Sequence, residues 1–143
     1  MKKLSLLVAL GIACSIAIAK PAVNVSTNAA QFASYSKQMH EMSAKYISQK
    51  QFGNANKTIE AWLNSYNALP DKEKTAYASV YASIMYNQAC ALTQTNEMFQ
   101  ALKALKEAVK AGFSNSEQAQ NDPNLAQLKN YDEFSKILKS IKA

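Results

Sequence analysis

The sequence predicts an all-α fold, and three observations carry that prediction. Strand signals are weak, because alternating runs of β-branched residues are missing while Ala, Gln, Lys, Leu and Met are abundant. Beyond the first twenty residues every glycine and proline, namely Pro21, Gly53, Pro70, Gly112 and Pro123, falls at the edge of a periodic segment. The stretch from Tyr86 to Phe113, YNQACALTQTNEMFQALKALKEAVKAGF, reads as two amphipathic helices joined by a tight turn at Thr95-Asn96. Small residues stand where two such helices must approach closely, at Ala89 in the first and at Ala101 and Ala108 in the second.

At the start of the chain Lys2 and Lys3 precede an apolar run from Leu4 to Ala13, and Ala17-Ile18-Ala19 stands ahead of Lys20-Pro21. This is the pattern of a signal peptide over residues 1–19, with cleavage expected after Ala19 and a periplasmic or secreted product. A hydrocarbon core needs roughly 20 apolar residues and no stop-transfer pattern follows, so no stable membrane span is expected after cleavage. The alternative is a lipid anchor through Cys14, although Gly11 stands where the bacterial lipoprotein motif has leucine. Removal of Lys2 and Lys3 lowers the formal charge from +6 to +4. About 120 residues then remain, enough for one compact domain.

With Cys14 lost, Cys90 is the only thiol, and no internal disulfide can form. Arginine is absent and the lysines are interspersed with Asp and Glu. Bidentate contacts to guanine edges or phosphates are therefore unavailable, and no nucleic-acid partner is expected.

Residues 20–30 have no sustained period and read as a flexible lead-in to a helical domain over 31–143. In the first helix Phe32, Tyr35, Met39, Met42 and Tyr46 recur at spacings of three and four, which makes one continuous apolar stripe. Gly53-Asn54 is the natural break. The second helix places Ile59, Trp62, Leu63 and Tyr66 on one face and stops at Leu69-Pro70. The third opens with Asp71 and Glu73 at the positive end of its dipole, and carries two apolar stripes from Tyr77 through Leu92, a width that implies packing on two sides.

The fourth helix is expected to start near Asn96 as cap, to bury Met98, Ala101, Leu102, Leu105, Ala108 and Val109, and to close at Gly112. Lys103, Lys106 and Lys110 face water. Asn121-Asp122-Pro123 can cap and open a short helix holding Leu125 and Leu128. The segment from Asn130 to Glu133 resembles a capping box for a last helix, which buries Phe134, Ile137, Leu138 and Ile141. This end pair can cover the apolar side of the hairpin before it.

These residues resemble the tetratricopeptide-repeat family, whose helix-turn-helix unit has a period of about 34 residues. In the second unit Ala89 fills the small position of helix A, Leu92 the large one after it, Asn96 the turn, Ala101 the small position of helix B, Leu105 the next core site and Ala108 the last small site. Phe113 stands where the family usually has proline. In a looser first unit Gly53 falls at the turn, Trp62 at the aromatic helix-B site and Pro70 at the closing position. Thr58 and Ser65 replace the small alanines there, and bulky Tyr46 falls at the close-approach site. Gly53 and Asn96 are more than one period apart, which implies an extended helix between them. Asp122-Pro123, Leu125, Leu128, Phe134 and Leu138 look like the terminal piece that follows such repeats in many bacterial proteins.

The resemblance implies a short α-α superhelix of TPR-like hairpins with a capping C-terminal helix pair. It also implies an adaptor with a concave groove lined by the A helices, and it does not imply any catalytic activity. Carried over to this chain, the groove residues are Ser83, Tyr86, Cys90 and Gln94 from the second unit, and His40, Ser43, Ile47 and Lys50 from the first. Such a surface suits an extended peptide or a helix of a protein partner. The competing reading is that Tyr86 and Cys90 pack against flanking helices.

Other chemistry finds little support. His40 could activate Cys90 only across neighbouring helices, and no local signature marks either residue as catalytic. Phosphate-loop and metal motifs are missing, so no cofactor, metal or catalytic residue is expected. Trp62, Tyr66, Tyr77, Tyr81 and Tyr86 could form a carbohydrate platform in an envelope carbohydrate-acting or hydrolytic protein, but their helical spacing favours core packing. A third option is self-association through the stripe holding Met39 and Met42.

Overall fold

In the computed structural model, which describes residues 29–141, the chain is all-α and opens with a hairpin of helices α1 (Ala29–Ser48) and α2 (Phe52–Asn67). The expected signal peptide and Cys14 lie outside the described residues, as does most of the expected lead-in. Ala29 and Ala30 already belong to α1.

The hairpin turn corrects the expectation at Gly53. The chain reverses three residues earlier, where Lys50 adopts φ 57° and the N–H groups of Lys50 and Gln51 donate to the carbonyls of Ile47 and Tyr46 at 2.9 and 2.8 Å. These bonds satisfy carbonyls that α1 would otherwise leave open at its end. Gly53 lies inside α2, and a side chain there would meet nothing within 4 Å.

After Pro70 comes a short helix, α3 (Asp71–Lys74), then a 3-10 turn (Thr75–Tyr77), then α4 (Ala78–Gln94). The single extended helix expected between the hairpins is thus broken at Tyr77. The ring of Tyr77 packs edge-on against Phe32 at 4.7 Å, which ties the break to α1.

Helix α5 (Met98–Lys110) starts later than expected, with Glu97 rather than Asn96 as N-cap. Asn96 takes the left-handed conformation at φ 66°, and its N–H and that of Glu97 donate to Thr93 and Leu92. Gly112 closes α5 in the same way with φ 110°, as expected, the N–H groups of Gly112 and Phe113 donating to Val109 and Ala108.

The C-terminal part holds three pieces rather than a pair. Helix α6 (Ser116–Asn121) has Asn115 as its cap, a 3-10 helix spans Pro123–Asn130, and α7 (Asp132–Ser140) follows. The capping box at Asn130 does not form, because Tyr131 is the N-cap and makes no side-chain cap bond. Glu133 instead approaches Lys106 of α5 at 3.6 Å.

Two apolar clusters make the core. Phe32, Met39, Ile59, Trp62, Leu69 and Ile84 form the first, ringed by half-buried tyrosines. The second joins α4 and α5 to the C-terminal pieces through Ala89, Ala101, Leu105, Leu125, Leu128, Phe134 and Ile137. Leu63 and Tyr81 pack against both clusters and make them continuous. Trp62 is fully buried and stacks on Tyr66 at 4.9 Å, while its indole N–H donates to Ser36 Oγ at 2.9 Å.

The two hairpins correspond at a constant offset. The left-handed turn residues Lys50 and Asn96 are 46 positions apart, and the same step leads from Ser43 to Ala89, from Ala55 to Ala101 and from Ile59 to Leu105. All six of these packing residues are fully buried. The close-approach sites of the first hairpin are therefore Ser43 and Ala55, not Tyr46 and Thr58. The packing step also recurs: α4 rests on both α1 and α2, and the 3-10 helix rests on both α4 and α5.

Candidate functional site

Three of the residues expected to line a groove, Tyr86, Cys90 and Gln94, follow one another at four-residue spacing and form a single stripe along α4. The structure covers that stripe with the chain's own Asp122-Pro123-Asn124. The hydroxyl of Tyr86 donates to Asp122 Oδ2 at 2.7 Å, and the Cys90 thiol donates to the same oxygen at 3.5 Å. One turn further on, Gln94 Nε2 donates to the backbone carbonyl of Asn124 at 3.0 Å.

The local sequence fixes this geometry. Asp122 caps the 3-10 helix, with Oδ1 accepting from the backbone N–H of Asn124 at 2.8 Å and from its side-chain amide at 2.9 Å. Pro123 at the first helical position has no N–H to leave unsatisfied. Capping thus turns the second carboxylate oxygen outward, toward α4. Four donors, none charged, surround one carboxylate. On the other side of Tyr86, Phe113 lies nearly parallel to its ring at a centroid distance of 4.5 Å.

The electrostatic consequence is that both acids stay protonated. Burial first, then the hydrogen bond to Asp122, pushes the Tyr86 hydroxyl well above the usual phenol range. Burial, then the negative charge of Asp122, pushes the Cys90 thiol far above its ordinary value. A thiol held in this way is a poor nucleophile, and its partner is an acceptor rather than a base that would ionise it for attack.

The other expected groove residues divide. Ser43 is fully buried, donates to the carbonyl of His40 at 2.8 Å and accepts from Asn87 Nδ2 at 3.0 Å, so it joins α1 to α4 instead of facing a partner. Lys50 is exposed, but it sits in the turn after α1. Ile47 is half-buried and packs on the second cluster. His40 and Ser83 remain half-exposed, Ser83 donating to the carbonyl of Ser79. Of the expected groove residues, Tyr86, Cys90 and Gln94 are engaged within the chain and Ser43 joins α1 to α4, while Lys50 is exposed and His40 and Ser83 are half-exposed.

Asp122 and Asn124 escape the sequence reading as partners of α4. Asp-Pro signals a cap, but nothing local tells which helix receives the cap's other oxygen, since Tyr86 lies 36 residues away. Phe99 escapes it too. It is 81% exposed on α5, although most aromatic residues of the chain are packed.

Among the described residues no group of three or more His, Cys, Asp or Glu side chains could hold a metal ion, and no helix is long and apolar enough to cross a membrane. A cleft of about 430 Å³ opens at the ends of α5 and α7, between Lys106, Val109, Lys110, Phe113 and Ile141. It does not reach the α4 stripe.

No family model matches the chain, and no solved structure matches it. A stretch of 87 residues, 61% of this chain, is 33% identical to a chloroplastic protein of Arabidopsis thaliana. The chain spans only 24% of that relative's length.

Proposed function

We propose that this chain is an exported interaction module of the tetratricopeptide-repeat type, which binds a protein or peptide on the inner face formed by α1 and α4. The observation that supports it most is the recurrence of one helical hairpin at an offset of 46 residues, longer than the family period of about 34, with α3 and the 3-10 turn lying between the two hairpins. A left-handed turn, a small residue at each close approach (Ser43 and Ala55, Ala89 and Ala101) and a following core site (Ile59, Leu105) recur together, while Trp62 stands where the second hairpin has Ala108. The repeated packing step from α4 to the 3-10 helix extends the pattern once more. Such arrays present one row of helices to a ligand, and this chain's row carries His40, Ser83 and, beneath the C-terminal turn, Tyr86, Cys90 and Gln94. Export rests on the leader-like order of Lys2-Lys3, an apolar run and Ala17-Ile18-Ala19.

Observations on the other two readings weigh against them. Trp62 is fully buried, and its ring packs against those of Phe32, Tyr66 and Tyr81, so the indole is used in the core and is not open to a sugar. Met39, the centre of the stripe that would serve self-association, is 9% exposed and packed in the first cluster.

The test is affinity capture from the native envelope, comparing the mature protein with a His40→Ala, Ser83→Lys double variant. Both positions are half-exposed, so the fold should survive, and far-UV circular dichroism checks this. A partner recovered by the native protein and lost from the variant supports the reading. A partner held equally by both places binding on another face and sinks it.

A further inference from the structure

We propose that the segment from Ser114 to Ile141 is a displaceable arm, and that its Asp122-Pro123-Asn124 turn occupies the inner face of α4 in place of an external peptide that carries a carboxylate. The inference rests on the reading of that face as a binding face, and adds its regulation and the chemistry of its partner.

The bonds across the interface describe what α4 accepts. Tyr86 and Cys90 converge on one carboxylate oxygen, at 2.7 and 3.5 Å, and Gln94 takes a backbone carbonyl two residues later at 3.0 Å. A carboxylate followed by an extended carbonyl belongs to any acidic peptide lying along the helix, and nothing in the donor set is peculiar to residues 122–124. Beyond it, the fully buried Leu125 shows that an apolar side chain three residues after the carboxylate completes the fit.

The arm's own construction makes it the part that opens. It leaves α5 through Gly112, at φ 110°, and continues through the exposed Ser114 and Asn115. Its first two pieces are a six-residue helix and a 3-10 helix, neither of which holds its shape without packing. Against the entropy of ordering the whole segment stand Ala119, Leu125, Leu128, Phe134, Ile137 and Leu138, six of the fifteen buried residues of the second cluster. The arm's opening means parting the second cluster while the first, on α1 and α2, stays packed, a sub-global opening below the full unfolding of the domain. Trp62 belongs to the other cluster, on α2, and can stay packed while the arm lifts.

Cys90 is the reporter, since it is 2% exposed beneath Asp122 and is the only cysteine among the described residues. The experiment measures its alkylation by iodoacetamide in the mature chain as a function of urea, with Trp62 fluorescence following global unfolding. The expected result is a labelling rate that depends weakly on urea below the global transition, the mark of local opening. Asp122→Ala should raise that rate about 10- to 100-fold, in line with the loss of one partly buried charge-assisted hydrogen-bond centre, and by more than any shift of the Trp62 transition accounts for.

A fluorescent peptide of residues 116–141 should bind the Asp122→Ala chain more tightly than the native one, and the same peptide with Asp122→Ala should bind more weakly. Should the variant fold poorly, Tyr86→Phe removes a single hydroxyl and keeps the stacked ring, with a rise of several-fold expected. A urea slope equal to that of global unfolding overturns the proposal, because the arm would then leave only when the domain melts. An unchanged rate in a well-folded Asp122→Ala chain overturns it equally. None of these readings needs a natural partner, so they stand or fall apart from the capture experiment.

Discussion

A single hydroxyl in the first hairpin carries more weight than its size suggests. Ser36 is 1% exposed, and its Oγ accepts the indole N–H of Trp62, which is itself fully buried between Phe32 and Tyr66. A buried donor left without an acceptor costs the desolvation of that group, about 1–3 kcal/mol, whereas deleting the small serine hydroxyl itself removes little packing. Ser36→Ala is therefore expected to lower stability by about 1–3 kcal/mol in urea denaturation. Combining it with Trp62→Phe, which removes the orphaned donor, should cost less than the two single changes added together. Strict additivity would mean that the bond contributes nothing to the fold.

Helix ends show which parts of this architecture are legible from the chain and which are not. The stop at Gly112 is readable because glycine is the residue that tolerates φ 110° without strain. The first turn is misread for the same reason. Gly53 attracts the break, yet the left-handed position belongs to Lys50, whose side chain gives no local signal. That error shifts the register of the whole first unit and hides Ser43 and Ala55 as close-approach residues. The stripes of α1, α4 and α5 are legible because burial follows helical period, and so are the buried Phe134, Ile137 and Leu138 of α7. The junction of Asp122 with α4 is not, since it is a long-range hydrogen bond specified by neither period nor propensity.

Two substitutions test the corrected turn. Gly53→Ala should stabilise the chain by about 0.5–1 kcal/mol, because the position is helical and open space surrounds it. Lys50→Gly should also stabilise, by about 0.5–1 kcal/mol, by relieving a left-handed conformation that costs an ordinary side chain about 1–2 kcal/mol. Urea midpoints decide both, and a loss at Gly53 would return the turn to that residue.

At the scale of the whole molecule, the acids buried against Asp122 couple folding to alkaline pH. Tyr86 and Cys90 are neutral when protonated, and the folded state raises both above their unfolded values, chiefly by burial. The folded chain then keeps protons that the unfolded chain releases, so stability is full below the unfolded pKa and falls as pH rises beyond it. For the thiol that fall starts near about pH 8.5, and for the phenol near about pH 10. Each group adds a slope approaching about 1.4 kcal/mol per pH unit once its unfolded form ionises. Cys90→Ala should remove the first of these slopes and leave the second. Urea midpoints at about pH 7, 8.5 and 9.5 should then fall for the native chain between the last two values and stay nearly level for the variant. Parallel curves would mean that the thiol is not held against the carboxylate in solution, and that the C-terminal turn does not close over α4 in the way its hydrogen bonds describe.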